Sequence, residues 1–200
     1  MKKIVYLISP AKIYKNFYDD LKKVLKSNKV KFFQLRLKKI SKKKVIFFGK
    51  KIKKITDNFG VKLIINDDPM TANFIKGSGC HIGQSDTSFV LARKILKKET
   101  IGVTCHGSLS LARRAINNKA DYIAIGSFFN SKLKPKAKKA KQKIIKKLKK
   151  ETKIPIVAIG GINDKNYKKL ISMGANYIAI SSFIWNNASL KPEKAINRFK

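Results

Sequence analysis

The sequence predicts an α/β protein built as a (β/α)8, or TIM, barrel, a compact single domain over residues 1–200. Three observations predict it. Eight short apolar runs alternate with stretches of helical periodicity, the pattern of a parallel sheet with helices outside it. Most of the runs end in polar or glycine residues of the kind that bind ligands. Residues 120–128 read ADYIAIGSF and residues 175–183 read ANYIAISSF, identical at seven of nine positions. Such an echo suits repeated βα units better than an open sheet with distinct edges. Barrels of this kind usually take about 250 residues, so a chain of 200 needs short loops. Folding at this size hides about 70% of the unfolded surface, enough for a core without disulfides.

The elements follow in order. Strand one, residues 4–8, ends at Ser9, and Pro10 stands at a helix start whose apolar stripe is Ile13, Phe17, Leu21 and Val24. Strand two, residues 32–37, leads to a helix with Val45, Phe48, Ile52, Ile55 and Phe59 on one side. Strand three, residues 63–65, ends at Asn66 and Asp67, and Asp68 before Pro69 reads as an N-cap. Strand four, residues 80–82, runs into Gln84 and Asp86; strand five, residues 101–103, into Thr104 and His106. Strands six (122–125), seven (156–159) and eight (177–180) end at Ser127, at Gly160 with Gly161, and at Ser181 with Ser182. Gly60, Gly79 and Gly174 read as helix ends ahead of the next strand.

Composition narrows the function. The 47 basic residues against 11 acidic give a net charge of +36, a balance that a nucleic-acid binder would show. The lysines nevertheless fall on the wet sides of amphipathic helices, only five of the basic residues are arginine, and the aromatics lie on buried stripes. No specific nucleic-acid partner is expected, although salt-sensitive attraction to polyanions follows from the charge. The opening apolar stretch is too short for a secretory core or a membrane span. Cys80 and Cys105 form no paired framework and no CxxC, which suits a reducing cytoplasm. Oligomeric state has no signature in the sequence.

In a barrel the active site lies at the strands' C-terminal ends, so the residues there share one pocket. Gly160 and Gly161 allow close backbone approach to an anion and Ser181 and Ser182 add hydroxyls, together a phosphate site; the alternative is a glycine turn into a helix capped by Asn163. Asp67 and Asp86 project from neighbouring strand ends and suit Mg²⁺. Their alternative roles are a turn beside Asp68 and the cap of a helix near Thr87. Gln34, Arg36 and Lys38 share one face of strand two, where two charges are costly unless they meet an anion. Lys134, after strand six, is a further cation. The pairs Cys80–His81 and Cys105–His106 do not make a zinc site, because adjacent strand residues point to opposite faces; the cysteines read as core.

Five ordered segments, QLRLK (34–38), IINDD (64–68), HIGQSD (81–86), IGVTCH (101–106) and IGGI (159–162), resemble the thiamine-phosphate synthase family from the first strand to about Trp185. The resemblance implies a barrel enzyme, a transferase, that joins a hydroxymethylpyrimidine diphosphate to a hydroxyethylthiazole phosphate, forming thiamine phosphate and pyrophosphate. It implies that Gln34, Arg36, Lys38, Asn66, Thr104 and Lys134 hold the diphosphate substrate, and that Asp67 and Asp86 bind Mg²⁺. Ser131, Gly161, Ser181 and Ser182 then hold the thiazole phosphate. Arg36, Lys38 and Lys134 carry the catalytic charge stabilisation. Two departures stand out: Leu37 replaces the glutamate of the family's QLREK, and its TPTK segment is here Ser131, Lys132, Leu133, Lys134. Losing one hydroxyl at Leu133 weakens the phosphate grip by about 1 kcal/mol, which Lys132 can offset. The competing readings are a thiazole tautomerase, with His106 as its acid or base, and a non-catalytic RNA-associated barrel.

Overall fold

Eight parallel strands pair in sequence order and the last closes on the first, giving one continuous barrel. They are β1 (Val5–Ile8), β2 (Val30–Leu35), β3 (Lys62–Asn66), β4 (Gly79–Ile82), β5 (Thr100–His106), β6 (Tyr122–Gly126), β7 (Ile156–Ile159) and β8 (Tyr177–Ile180). The computed structural model describes residues 3–130 and 138–200. Helices α1 (Phe17–Leu25), α2 (Lys42–Asn58), α3 (Pro69–Phe74), α4 (Phe89–Leu96), α5 (Leu109–Asn117), α6 (Lys143–Glu151), α7 (Tyr167–Ser172) and α8 (Ser182–Trp185) each follow their strand, and α9 (Pro192–Ile196) comes last and packs on α1.

Alternation along each strand divides the core in two. Outward residues such as Leu7, Phe33, Leu35, Leu63, Ile65, Cys80 and Cys105 are buried beneath the helices. Inward residues form a second cluster of Tyr6, Phe32, Ile64, Tyr122, Ala124, Val157 and Ala179, which fills the barrel. The helix stripes read from sequence meet the outer layer: Leu21 and Val24 on α1 and Ile52 on α2 are fully buried. Caps agree where they are local. Ser41 accepts from Lys44 N–H to start α2, and Asp68 accepts from Thr71 N–H at 2.9 Å to start α3, with Pro69 next in line.

Four local expectations are corrected. β2 stops at Leu35 rather than residue 37, because its pairing ends at Gln34 on the β1 side and at Leu35 on the β3 side. Arg36, Leu37 and Lys38 therefore belong to the loop. Pro10 does not open a helix; α1 begins at Phe17, after a turn through Asn16. Gly79 is the first residue of β4 and not a helix end, and it is glycine because a Cβ would lie 1.9 Å from the Thr100 carbonyl oxygen. Asn163 caps a turn and not α7: its Oδ1 accepts from the Lys165 and Asn166 N–H groups, and the helix starts at Tyr167.

Candidate active site

A cavity of about 2290 Å³ opens at the strands' C-terminal ends. Single small-molecule sites run to roughly 300–1,000 Å³, so this volume admits two substrates together. Gln34, Arg36, Lys38, Asn66, Asp67 and Asp86 line it, as do Thr104, Gly161, Ser181 and Ser182. Ser131, Lys132, Leu133 and Lys134 lie outside the described residues.

Asp67 and Asp86 face the same cavity, close enough that each carboxyl is felt by the other. Burial, then the Asp86 carboxyl beside it, pushes the Asp67 carboxyl up to about 6, against the pull of Lys38 and Arg36. Asp67 does sit in the turn beside Asp68, between β3 and α3, whereas Asp86 caps no helix. The cap of α4 is Ser88, whose Oγ accepts from Leu91 N–H, and the cap of α3 is Asp68. Asp86 instead accepts from Gly83 N–H at 2.7 Å. Asp67 adopts φ +65°, a conformation that costs a residue with a side chain about 1 kcal/mol. Its N–H, bonded to the His81 carbonyl at 2.8 Å, holds it there. Two crowded carboxylates with no capping duty fit a hard divalent cation completed by substrate oxygens and water. Among the described residues no group of three or more His, Cys, Asp or Glu is placed to hold a metal.

Across the cavity the cations are set by β1. Ser9, buried at the end of β1, accepts the Arg36 N–H on its Oγ at 3.0 Å and donates its own N–H to the Gln34 carbonyl at 2.9 Å. The loop that carries Arg36 is thereby tied to the barrel. Ser181 donates its hydroxyl to the Ser9 carbonyl at 3.0 Å, so its single proton is already used and only its backbone N–H remains for a ligand. The indole of Trp185 donates to the Ile8 carbonyl at 2.7 Å and closes the same corner.

Gly160 and Gly161 adopt φ +105° and +63°. A Cβ on the first would stand 1.9 Å from Ser127 Oγ and one on the second 2.2 Å from the Asn130 carbonyl oxygen. The glycines thus admit both a left-handed turn and the close passage of the loop after β6. Asn166 Nδ2 braces that turn by donating to the Gly161 carbonyl at 3.0 Å.

The thiols are inert. Burial raises Cys105 to about 12 and Cys80 further still, so neither supplies a thiolate nucleophile. His81 points into the barrel while Cys80 points out, as alternation requires.

Residues 5–184 match the family model for thiamine monophosphate synthase. The chain belongs to that family. It is 54% identical over 200 residues to thiamine-phosphate synthase of Pelagibacter ubique, covering 100% of this chain and 97% of the relative. It is 36% identical over 187 residues to thiamine-phosphate synthase of Erythrobacter litoralis, covering 91% and 88%. Thiamine phosphate pyrophosphorylase from Pyrococcus furiosus superposes with a TM-score of 0.88 at 24% identity, over 98% of this chain and 93% of that one, and shares the fold.

Within this thiamine monophosphate synthase barrel, Leu37 packs half-buried against the outer core, a use open to leucine and costly for the glutamate it replaces. Three site contributors carry little signal in the sequence. In sequence Ser9 is only a strand end, Gln84 only a polar residue after β4, and His81 only the neighbour of a core cysteine. Gln84 donates through Nε2 to the Thr104 carbonyl and receives Arg114, which pins the loop between Gly83 and Asp86 to β5. Strand alternation marked His81 as inward, the one available signal for its role.

Proposed function

We propose that this chain condenses 4-amino-2-methyl-5-hydroxymethylpyrimidine diphosphate with 4-methyl-5-hydroxyethylthiazole phosphate, giving thiamine phosphate and pyrophosphate. The observation that carries the reading is the meeting of the Asp67–Asp86 pair, the Arg36–Lys38 cations and the Gly160–Gly161 turn on one cavity wide enough for both substrates. Family membership supports it. Asp67 and Asp86 would hold Mg²⁺, which when bound supplies neutralisation of diphosphate charge.

The chain's own groups then have defined tasks. Arg36, held by Ser9, and Lys38 face the diphosphate and stabilise the negative charge that grows as the bond from the pyrimidine methylene carbon to the diphosphate oxygen breaks. Gln34 and Asn66, on adjacent strand ends, orient the pyrimidine. The N–H groups around Gly161 and Ser182, with the Ser182 hydroxyl, hold the thiazole phosphate, which places the ring nitrogen to attack the methylene carbon. That nitrogen becomes quaternary and pyrophosphate leaves with the bonding pair. No protein nucleophile takes part, consistent with thiols held protonated. Lys134 and Ser131 belong to this scheme by family resemblance. A cytoplasmic setting fits two free, buried cysteines, and no described helix is long and apolar enough to cross a membrane.

Calorimetric titration tests the division of the cavity. The pyrimidine diphosphate should bind with Mg²⁺ and lose most of its affinity in EDTA, while inorganic phosphate or the thiazole phosphate should bind alike in both. Metal-independent diphosphate binding would defeat the assignment of Asp67 and Asp86.

A further inference from the structure

A line of hydrogen bonds runs from the middle of the barrel to the cavity wall. The Tyr6 and Tyr122 hydroxyls are 2.7 Å apart, the Tyr122 hydroxyl is 2.9 Å from His81 Nδ1, and His81 Nε2 is 2.7 Å from Thr104 Oγ1. The rings of His81 and Tyr122 are nearly parallel, at 16°. Space for Tyr122 comes from β5: a Cβ on Gly102 would stand 1.8 Å from Tyr122 Cζ. Tyr6 and Tyr122 are 2% and 1% exposed, and both stay phenols because burial raises them above the ordinary range.

Proton counting gives this line a direction. Among the described residues the Tyr6 hydroxyl has Tyr122 as its one hydrogen-bond partner. If His81 carried its proton on Nδ1, or on both nitrogens, it would donate to Tyr122 oxygen, and Tyr122 would then either donate to Tyr6 or accept from it as well. In the first case the Tyr6 proton, in the second the Tyr122 proton, would be buried in an apolar barrel with no acceptor, the arrangement folded proteins avoid. One order satisfies every proton: Tyr6 donates to Tyr122, Tyr122 to His81 Nδ1, and His81 Nε2–H to Thr104 Oγ1. With its oxygen accepting from His81, Thr104 has its own proton left over.

We propose that Tyr6 and Tyr122 fix His81 as the neutral Nε2–H imidazole, which makes the Thr104 hydroxyl a hydrogen-bond donor into the cavity. Its match is an acceptor atom of the pyrimidine diphosphate, a ring nitrogen or a phosphate oxygen. That last step rests on the proposed function, whereas the tautomer does not. His81, Tyr122 and Tyr6 are positioning residues: they decide which way Thr104 points its proton.

The chain has two histidines, so [¹⁵N]histidine labelling reports His81 directly once a His106→Gln variant assigns the signals. The expected spectrum at about pH 8 is a ring protonated on Nε2 with Nδ1 bare. A proton on Nδ1 there, alone or together with Nε2, overturns the proposal whatever the enzyme does. In turnover, Thr104→Ser should keep KM for the pyrimidine diphosphate within about twofold and Thr104→Val should raise it about tenfold, the loss of one hydrogen bond to substrate. KM for the thiazole phosphate should stay put in both. The double variant Tyr6→Phe/Tyr122→Phe, which leaves no orphan hydroxyl, should raise the pyrimidine KM alone by about fivefold and mix the His81 tautomers. Equal rises in both KM values, or none, overturn the positioning role. Inhibition by inorganic pyrophosphate that weakens in Thr104→Val places the acceptor on the diphosphate, and inhibition unchanged places it on the ring; either upholds the donor assignment. A protein that makes no thiamine phosphate at all defeats the proposed function and leaves the tautomer result standing.

Discussion

Asp86→Asn should make the metal-free protein more stable and the enzyme far slower. Asp67 sits in the folded chain with its carboxyl pushed up to about 6 by burial and by Asp86, from 3.8. A folded-state value above the unfolded one means that ionisation opposes folding, fully above about 6 and not at all below about 3.8, where both states are protonated. Neutralising Asp86 relieves the part owed to its charge. Because Asp67 is only half-buried and Asp86 is exposed, solvent screening reduces the gain to about 1 kcal/mol near pH 8. For a chain of this size that raises the melting midpoint by about 2–4 °C. Asparagine keeps an oxygen for the Gly83 N–H, so the loop should hold its shape. Turnover, by contrast, should fall at least about 100-fold, the usual effect of deleting a charge arranged for the reaction. Scanning calorimetry in EDTA and a pyrophosphate-release assay in Mg²⁺ read the two effects separately. A lower melting midpoint would rule out repulsion between the two carboxyls, and turnover within about threefold of wild type would rule out Asp86 as a metal ligand.

Other consequences are equally direct. Ser9→Ala removes the acceptor of the Arg36 N–H at 3.0 Å, and KM for the pyrimidine diphosphate should rise several-fold, with a stability loss of about 1 kcal/mol in urea titrations. Gly161→Ala forces a methyl to 2.2 Å from the Asn130 carbonyl oxygen at φ +63°; steady-state kinetics should show a weaker thiazole phosphate KM, and thermal melts a loss of about 1–3 kcal/mol. Gly102→Ala places a methyl inside the Tyr122 ring and should cost about 3 kcal/mol or more, seen as a lower midpoint in denaturant. Cys80 and Cys105 should resist maleimide in the native protein and react once guanidinium unfolds it, as mass spectrometry will record.

The barrel was legible because its signals are local and periodic. All eight apolar runs became strands, and the inward–outward split of Cys80 from His81 followed from alternation alone. The ends of elements were harder. Nothing local in QLRLK says that β2 stops at Leu35; its neighbours β1 and β3 decide that by running out of partners. In sequence Asp86 reads equally well as the cap of the helix near Thr87, and only the structure gives that place to Ser88. The Ser9 bond to Arg36 and the Tyr6–Tyr122–His81 line join residues 27 to 116 positions apart, so no spacing rule could have shown them. Motif order carried the site further than periodicity did, since a family's ordered segments encode which strand ends meet.

The most direct test of the account is to incubate the purified protein with both precursors, with and without Mg²⁺, and follow thiamine phosphate by chromatography. Product and an equal amount of pyrophosphate should form in Mg²⁺, and little of either in EDTA. Rearrangement of the thiazole phosphate alone, with no pyrimidine joined to it in Mg²⁺, would contradict the account and point to a tautomerase.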